Sequence, residues 1–444
     1  MSKTQPARGM RDFLPADVRK REYVIGIIKQ VYESYGFEPL ETPAVENLET
    51  LTGKYGEEGG QLMYKILKRG EKLDVSAGEK GLSDLALRYD LTVPLARVVA
   101  NYQNDLPKFF KRYQIQPVWR ADRPAKGRYR EFYQCDVDAV GSKSLIVEVE
   151  LISAVSEILQ RLGFSYSFGV VINHREVLRG ILDAVEIKEE KQIDALVALD
   201  KLDKIGTDGV FDELVARGIG ENAATKLLRL FASLELKSNA DILSLLADFM
   251  GEHKTGNDGL KDLAQILKYT NYENILIDAS LARGLSYYTG TIMEISVPDL
   301  AGSLAGGGRY DGLIGMFGKE EIPACGISLG LERILAVMDE RKMFPANLLG
   351  AAADVLVTVW NEESIGESLK LAQELRAGGL RVLVYPEADK LGKQFKYASQ
   401  VGVSYVCVLG ETELAENKVT LKNMRSGEQE TVARGRTSEM IKKL

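Results

Sequence analysis

Histidine is almost missing from this 444-residue chain: His174 and His253 are its only two, beside three cysteines and two tryptophans. A serine–histidine–acid triad is therefore hard to build. The one G-x-S-x-G stretch, residues 326–330, follows both histidines, whereas the hydrolase order puts the histidine last. The better reading is a strand whose glycines permit close packing and which turns into a helix at Leu331. Arg333 would then project from the helix's first turn, where the helix dipole favours an anion. Cys135, Cys325 and Cys407 are scattered, with no C-x-x-C pair, which argues against a disulfide framework or a zinc site. No apolar run has the length of a membrane span, and the first residues (MSKTQPARGMRDF) lack the apolar region of a signal peptide. A cytoplasmic protein is expected. No G-x-x-x-x-G-K-[ST] occurs, so a bound nucleotide would not sit on a P-loop.

A net charge of −7 argues against indiscriminate nucleic-acid binding. Yet Lys108, Lys111, Arg112, Arg120, Arg123, Lys126, Arg128 and Arg130 form a basic cluster interrupted only by Asp122, and such a cluster can meet phosphates locally. The length predicts two or three domains, and 45% apolar with 27% charged residues is ordinary globular composition. Residues 17–36 have helical apolar spacing at Val24, Ile27, Ile28, Val31 and Tyr35, with Gly36 as the stop. Residues 37–43 (FEPLETP), with two prolines, read as an edge strand. Residues 85–90 alternate as a strand, and 91–100 and 144–162 read as helices. Helical patterns dominate from about 175 to 270, as an insertion in a mixed-sheet domain covering residues 1–345. Residues 346–353 read as a linker. Beyond it, residues 354–444 begin a β–α alternation with strands at 355–359, 381–385 and 404–409, and helices at 364–376 and 393–400.

The most informative segment is 120–138 (RADRPAKGRYREFYQCDVD). It contains a polar loop, residues 121–129, followed by a strand whose even members Arg130, Phe132, Gln134, Asp136 and Asp138 share one face. A cation, a ring, an amide and two carboxylates suit a long polar ligand better than a core. Phe132 to Asp138 spans six strand steps, roughly 20 Å at about 3.3 Å each, about the length of a nucleotide with a small molecule on its phosphate. A solvated amphipathic hairpin accounts for the spacing equally well. Residues 305–311 (AGGGRYD) could bring backbone close to a ligand or form a bulged strand. Residues 281–290 (LARGLSYYTG) place Arg283 beside paired tyrosines, where a core strand would rarely want a charge. If Arg120, Arg283 and Arg333 converge, they make a positive pocket for polyphosphate, with Asp90, Gln134 and Asp138 as a polar corner.

Together these segments resemble the histidyl-tRNA synthetases, class II aminoacyl-tRNA synthetases, over essentially the whole chain. FEPLETP resembles the first class II motif, with Pro43 as its proline; residues 119–138 resemble the second, and GISLGLERI the third. LARGLSYYTG and AGGGRYDGL resemble the two histidine-specific motifs. The resemblance implies an α+β fold: a class II antiparallel sheet with flanking helices, a helical insertion that contacts the tRNA acceptor arm, and a C-terminal α/β anticodon-binding domain. It implies a homodimer, the substrates L-histidine, ATP and tRNA(His), Mg2+ with the ATP, and no prosthetic group.

Carried over by position, Arg120, Asp122, Arg128, Phe132 and Arg333 would bind ATP, with Phe132 stacking on adenine. Asp90, Leu91, Thr92, Arg120, Gln134, Asp138, Arg283, Tyr287 and Tyr288 would contact histidine. Within that set Asp90, Thr92 and Gln134 would hold its amino group, and Asp138 and Tyr288 would bracket its imidazole. Arg283, Arg120 and Arg333 would be the catalytic cations, and Glu294 a magnesium ligand. The family often has glutamate where Asp90 and Asp138 stand, which shortens the reach here. Two rivals remain: a catalytically silent paralogue that regulates ATP phosphoribosyltransferase, which would lose these arginines and the C-terminal domain, and a synthetase for another amino acid, which would lack the two histidine-specific motifs.

Overall fold

A proline without an N–H fits the first turn of a helix, where that donor would be unpaired anyway. Helix α1 (Pro15–Ser34) begins this way and buries Val24, Ile25, Ile28, Val31 and Tyr32 as one stripe. Gly36 ends it at φ +74°, with the Gly36 and Phe37 N–H groups donating back to Glu33 and Tyr32. The structure, a computed structural model, describes residues 4–443 except 126, 166, 271, 273, 284–286, 299, 301 and 319. Part of the 281–290 motif thus lies outside the described residues.

Among the described residues eight strands form the main sheet: β1 (Glu38–Pro39), β2 (Phe110–Trp119), β3 (Glu131–Val140), β4 (Gly169–His174), β5 (Ile275–Ile277), β6 (Thr291–Ser296), β7 (Ala305–Arg309) and β8 (Ala324–Gly330). Their spatial order is β1-β2-β3-β8-β7-β6-β4-β5. The outer pairs β1–β2 and β4–β5 are parallel, and the inner pairs antiparallel. Proline-bearing β1 sits at an edge, where a missing donor costs least. Helix α2 (Thr92–Asn101) precedes β2, α3 (Ile146–Arg161) follows β3, and α4 (Leu331–Glu340) leaves β8 without a loop. Odd-numbered Cys135, Val137 and Ala139 of β3 join the core that holds α1 and α3. The even-numbered side chains are left to the opposite face. A buried ion pair adds to this packing: Arg309 of β7 donates twice to Glu148 of α3, at 2.7 and 2.8 Å.

Among the described residues between β4 and β5 are six helices, Arg175–Ala184, Glu189–Leu199, Leu202–Ala216 (broken at Gly206), Glu221–Leu234, Asn239–Met250 and Lys254–Tyr269. A small sheet of Val45–Asn47, Ser83–Leu87 and Lys65–Leu67, with the second strand central, stands apart from the main one. The expected strand at residues 85–90 is thus shorter and earlier than its alternation implied.

By its internal contacts the chain divides into Met1–Phe344 and Pro345–Leu444. In the second unit β9 (Val355–Val357), β10 (Val382–Val384), β11 (Tyr405–Val408), β12 (Lys418–Asn423) and β13 (Gln429–Ala433) pair in the order β10-β9-β11-β12-β13. Val355 and Val357 point into one apolar cluster with Leu371, Leu375 and Ile441, and Leu356 into another with Ala398. Helices therefore cover both faces. The antiparallel β12–β13 hairpin was not anticipated from the sequence. Among the described residues no helix is long and apolar enough to cross a membrane.

Candidate active site

The even face of β3 is the floor of a cavity of about 410 Å³. Phe132, Gln134, Asp136 and Asp138 line it, whereas Arg130 precedes the strand and donates to the Asp122 carbonyl instead. The solvated-hairpin reading is thereby set aside. In the adjoining β8, Gly326, Ser328 and Gly330 lie opposite Asp138, Asp136 and Gln134. A Cβ on Gly326 would fall 1.9 Å from Asp138 Oδ1, so only glycine lets that carboxylate cross the strand. The 306–308 glycines serve the same purpose. They lie in a strand regularly paired on both sides, and a Cβ on Gly306 would sit 2.4 Å from the Arg283 guanidinium. They clear space rather than form a bulge.

One end of the cavity is acidic. Asp138 is buried, its Oδ2 paired with Arg112 at 2.7 Å and its Oδ1 accepting from the Tyr310 hydroxyl. Arg112 comes from β2, opposite Asp138 in the strand register, and is 0% exposed. Burial raises the Tyr310 phenol well above its ordinary pKa, which keeps it a donor. Asp136 is equally enclosed, and its hydrogen-bond partner is neutral: the Gln134 amide donates to it at 3.4 Å, with Ser328 opposite it in β8. Burial pushes its carboxyl up to about 7, with Arg112 opposing and Asp138 reinforcing the shift. Gln134 also donates to Ser328 Oγ at 2.9 Å.

The remaining residues of this end come from outside β3. Asp90 accepts from the Thr92 and Val93 N–H groups at 3.1 and 3.0 Å, so it fixes the start of α2 while lining the cavity with Thr92. Leu91 does not line it: its side chain is in the core, and its carbonyl accepts from Arg112. Tyr287 and Tyr288 do, with their hydroxyls 3.2 Å apart. Burial raises the Tyr288 pKa as well.

The other end is basic. Arg120, Arg283 and Arg333, from three distant parts of the chain, all line the same cavity, together with Arg128. Ser303 ties two of them together: its hydroxyl accepts from Arg283 at 2.7 Å and its carbonyl from Arg333. Arg120 donates to the Tyr89 carbonyl, reaches Gln134 at 3.5 Å, and lies 5.2 Å from the Phe132 ring centroid. The Arg333 charge is disfavoured first by burial and then by Arg283 and Arg128. Crowded like charges of this kind are relieved by an anion.

Two expected ligand contacts have protein partners. Asp122 pairs with Arg128 at 2.9 Å. Glu294 pairs with Arg283 and lies outside the cavity lining. Among the described residues no group of three His, Cys, Asp or Glu side chains could hold a metal ion. With Glu294 engaged by a guanidinium, the donors present do not fit a cation held by the protein alone. The histidines are far from Ser328 in role: His174 and His253 each cap a helix of the insertion through Nδ1. All three cysteines are buried, with burial raising each thiol pKa, so none is poised as a nucleophile.

Arg112, Tyr310, Ser328 and Glu332 were missed by sequence reasoning, and Asp136, though placed on the ligand-facing side of its strand, was given no role. Asp136 shares the even face of β3 and Tyr310 stands inside the 305–311 glycine motif, so both had a signal. Arg112 had none, since its role depends on strand register.

An inner antiparallel sheet carrying a strand–loop–strand with a cationic, ring-bearing face, and a glycine strand running straight into an arginine-bearing helix, define a class II aminoacyl-tRNA synthetase fold. The family model for histidyl-tRNA synthetase matches residues 9–334, and that for an anticodon binding domain matches residues 354–444. The histidine–tRNA ligase of Porphyromonas gingivalis is 45% identical over 97% of both chains, and that of Cytophaga hutchinsonii 43% identical over 97% of both. The crystal structure of histidyl-tRNA synthetase from Nostoc sp. PCC 7120 superposes with a TM-score of 0.81 at 33% identity, covering 100% of this chain and 99% of that one. The chain belongs to the histidyl-tRNA synthetase family, ligases that charge tRNA with histidine.

Proposed function

We propose that the basic end of the cavity holds ATP and the acidic end holds histidine. What supports the reading is the meeting of Arg120, Arg283 and Arg333 at one end of a cavity whose other end carries Asp138 and Tyr288. Phe132 stacks on adenine, Asp122 meets its amino edge, and Arg120, Arg128 and Arg333 hold the phosphates. Asp90, Thr92 and Gln134 take the amino group of histidine. Asp138 accepts from one imidazole nitrogen and Tyr288 donates to the other, with Tyr287 behind it.

In the first step a carboxylate oxygen of histidine attacks the α-phosphorus of ATP, and pyrophosphate leaves. In the second the 3′-terminal hydroxyl of tRNA attacks the acyl carbon, and AMP leaves. No protein nucleophile is needed. Arg283 sits against the α-phosphate, so that catalysis rests on orientation and fixed charge. Mg2+ would come to the site as part of the ATP substrate and would offset phosphate charge there. The polar pocket rejects other amino acids because they would leave buried partners unpaired, a discrimination of about 10⁴-fold or more.

In this reading residues 1–345 are the catalytic domain, with the insertion at about 175–270 reaching the acceptor arm, and 354–444 bind the anticodon. The proline-bearing edge at residues 37–43 forms a homodimer interface, and the enzyme works in the cytoplasm. Histidine-dependent exchange of pyrophosphate into ATP tests the assignment. Exchange supported equally by another amino acid, or absent with histidine, overturns it.

A further inference from the structure

The segment before α1 is tied to both walls of the basic end without lining the cavity itself. Gly9 accepts the Arg130 N–H at 2.8 Å through its carbonyl. Its φ is +84°, and a Cβ at this position would fall 2.8 Å from the Arg130 side chain, so only glycine fits. Two residues on, the Arg11 guanidinium carbon lies over Tyr129, 3.4 Å from the ring centroid, and Arg11 pairs with Glu332. Tyr129 belongs to the loop that carries Arg128; Glu332 precedes Arg333 on α4. Both Tyr129 and Glu332 line the cavity.

The cation–ring contacts continue inward. Arg11 is 4.7 Å from the Phe13 ring, Arg21 of α1 is 4.7 Å from the same ring, and Arg21 is 5.0 Å from Tyr133 of β3. Tyr129, Arg11, Phe13, Arg21 and Tyr133 thus alternate ring and cation from the loop to the strand beneath it. Planar guanidiniums suit both faces of such a stack, as a lysine would not.

From this geometry we infer that Arg11 is a positioning residue for the nucleotide half of the site. It holds the 120–130 loop against the start of α4, so that Arg128 and Arg333 face the same phosphates. It also neutralises Glu332, whose side chain is 5% exposed beside those arginines. Without Arg11 the Glu332 carboxylate would be a buried, unpaired negative charge that draws on Arg333 and repels a triphosphate. Histidine, bound at the far end, would not feel this. The inference rests on the reading of the basic end as the ATP site.

In pyrophosphate exchange, Arg11→Ala is expected to raise the KM for ATP about ten-fold or more, while histidine affinity measured calorimetrically without ATP stays within about two-fold. Arg11→Lys keeps the charge but not the plane and should fall between the two. If Arg11→Ala does not fold, Phe13→Leu carries the test, with a smaller rise in the same KM. An unchanged KM for ATP, or equal losses for ATP and histidine, overturns the inference. Arg333→Ala separates it from its premise: if that change leaves ATP binding intact, the nucleotide reading itself fails.

Discussion

Arg283→Ala asks whether fixed charge, rather than binding, carries the first chemical step. Arg283 is held on two sides, by Glu294 and by the Ser303 hydroxyl, with a third direction cleared by Gly306. A cation fixed this way needs no reorganisation when negative charge builds at phosphorus, and removing one such preorganised donor costs about 2.7–4 kcal/mol, or roughly 10²–10³ in rate. The Arg283 side chain is 42% exposed. Water can therefore replace part of its role, and the lower end, about 10²-fold, is the expected loss. Losing Arg283 also frees the Glu294 carboxylate, so Arg283→Ala with Glu294→Gln should recover some of the rate. Single-turnover formation of histidyl-adenylate measures the rate, and equilibrium titration the ATP affinity. The rate loss should be much larger than the affinity loss. Equal losses would mean that Arg283 only anchors ATP.

Three further outcomes follow from buried groups. Arg112→Met removes the guanidinium from a fully buried pair and leaves Asp138 charged, so it should cost about 3–5 kcal/mol in chemical denaturation; adding Asp138→Asn should return part of it. His174 has its pKa lowered from 6.5 to about 4, first by burial and then by Arg309. Its contribution is complete above pH 6.5 and lost as pH falls to 4, on the order of 3 kcal/mol, so His174→Gln should flatten that limb of a melting-temperature profile. Asp136 has the opposite sign: with its pKa raised from 3.8 to about 7, the carboxyl favours the folded state below pH 3.8 and progressively disfavours it up to pH 7. Asp136→Asn should therefore stabilise the ligand-free protein increasingly between those values, and a gain independent of pH would refute the assignment.

What could be read from the sequence was what lies within one element. The face of β3 was legible because alternation fixes which side chains share it, and α1 because apolar spacing and Gly36 mark both its stripe and its end. Partners across elements were not. Arg112 reads as one more cation in a basic cluster until strand register puts it opposite Asp138. Tyr310 is 172 positions from the carboxylate it serves. The ion pairs of Asp122 and Glu294 were likewise hidden, because their guanidinium partners, Arg128 and Arg283, become neighbours only after folding. The same limit hid Arg11, whose segment has neither strand nor helix periodicity.

The division of the cavity into two chemistries follows from the antiparallel pairing. A single strand delivers both the ring at Phe132 and the acid at Asp138, six residues apart and so roughly 20 Å from one another along the floor. The strand cannot also supply the cations for each end, because its alternate positions are spent on the core beneath. Those cations come from its neighbours: Arg112 and Arg120 from β2 and its end, Arg333 from the helix that continues β8, and Arg283 from the segment before β6. Each is then held by backbone carbonyls or a carboxylate of a different element. The charge pattern of the site is thereby a property of strand order. A change that shifts the β2–β3 register by one residue would move Asp138 and Phe132 to the core face together, disabling both ends even with every functional residue still present.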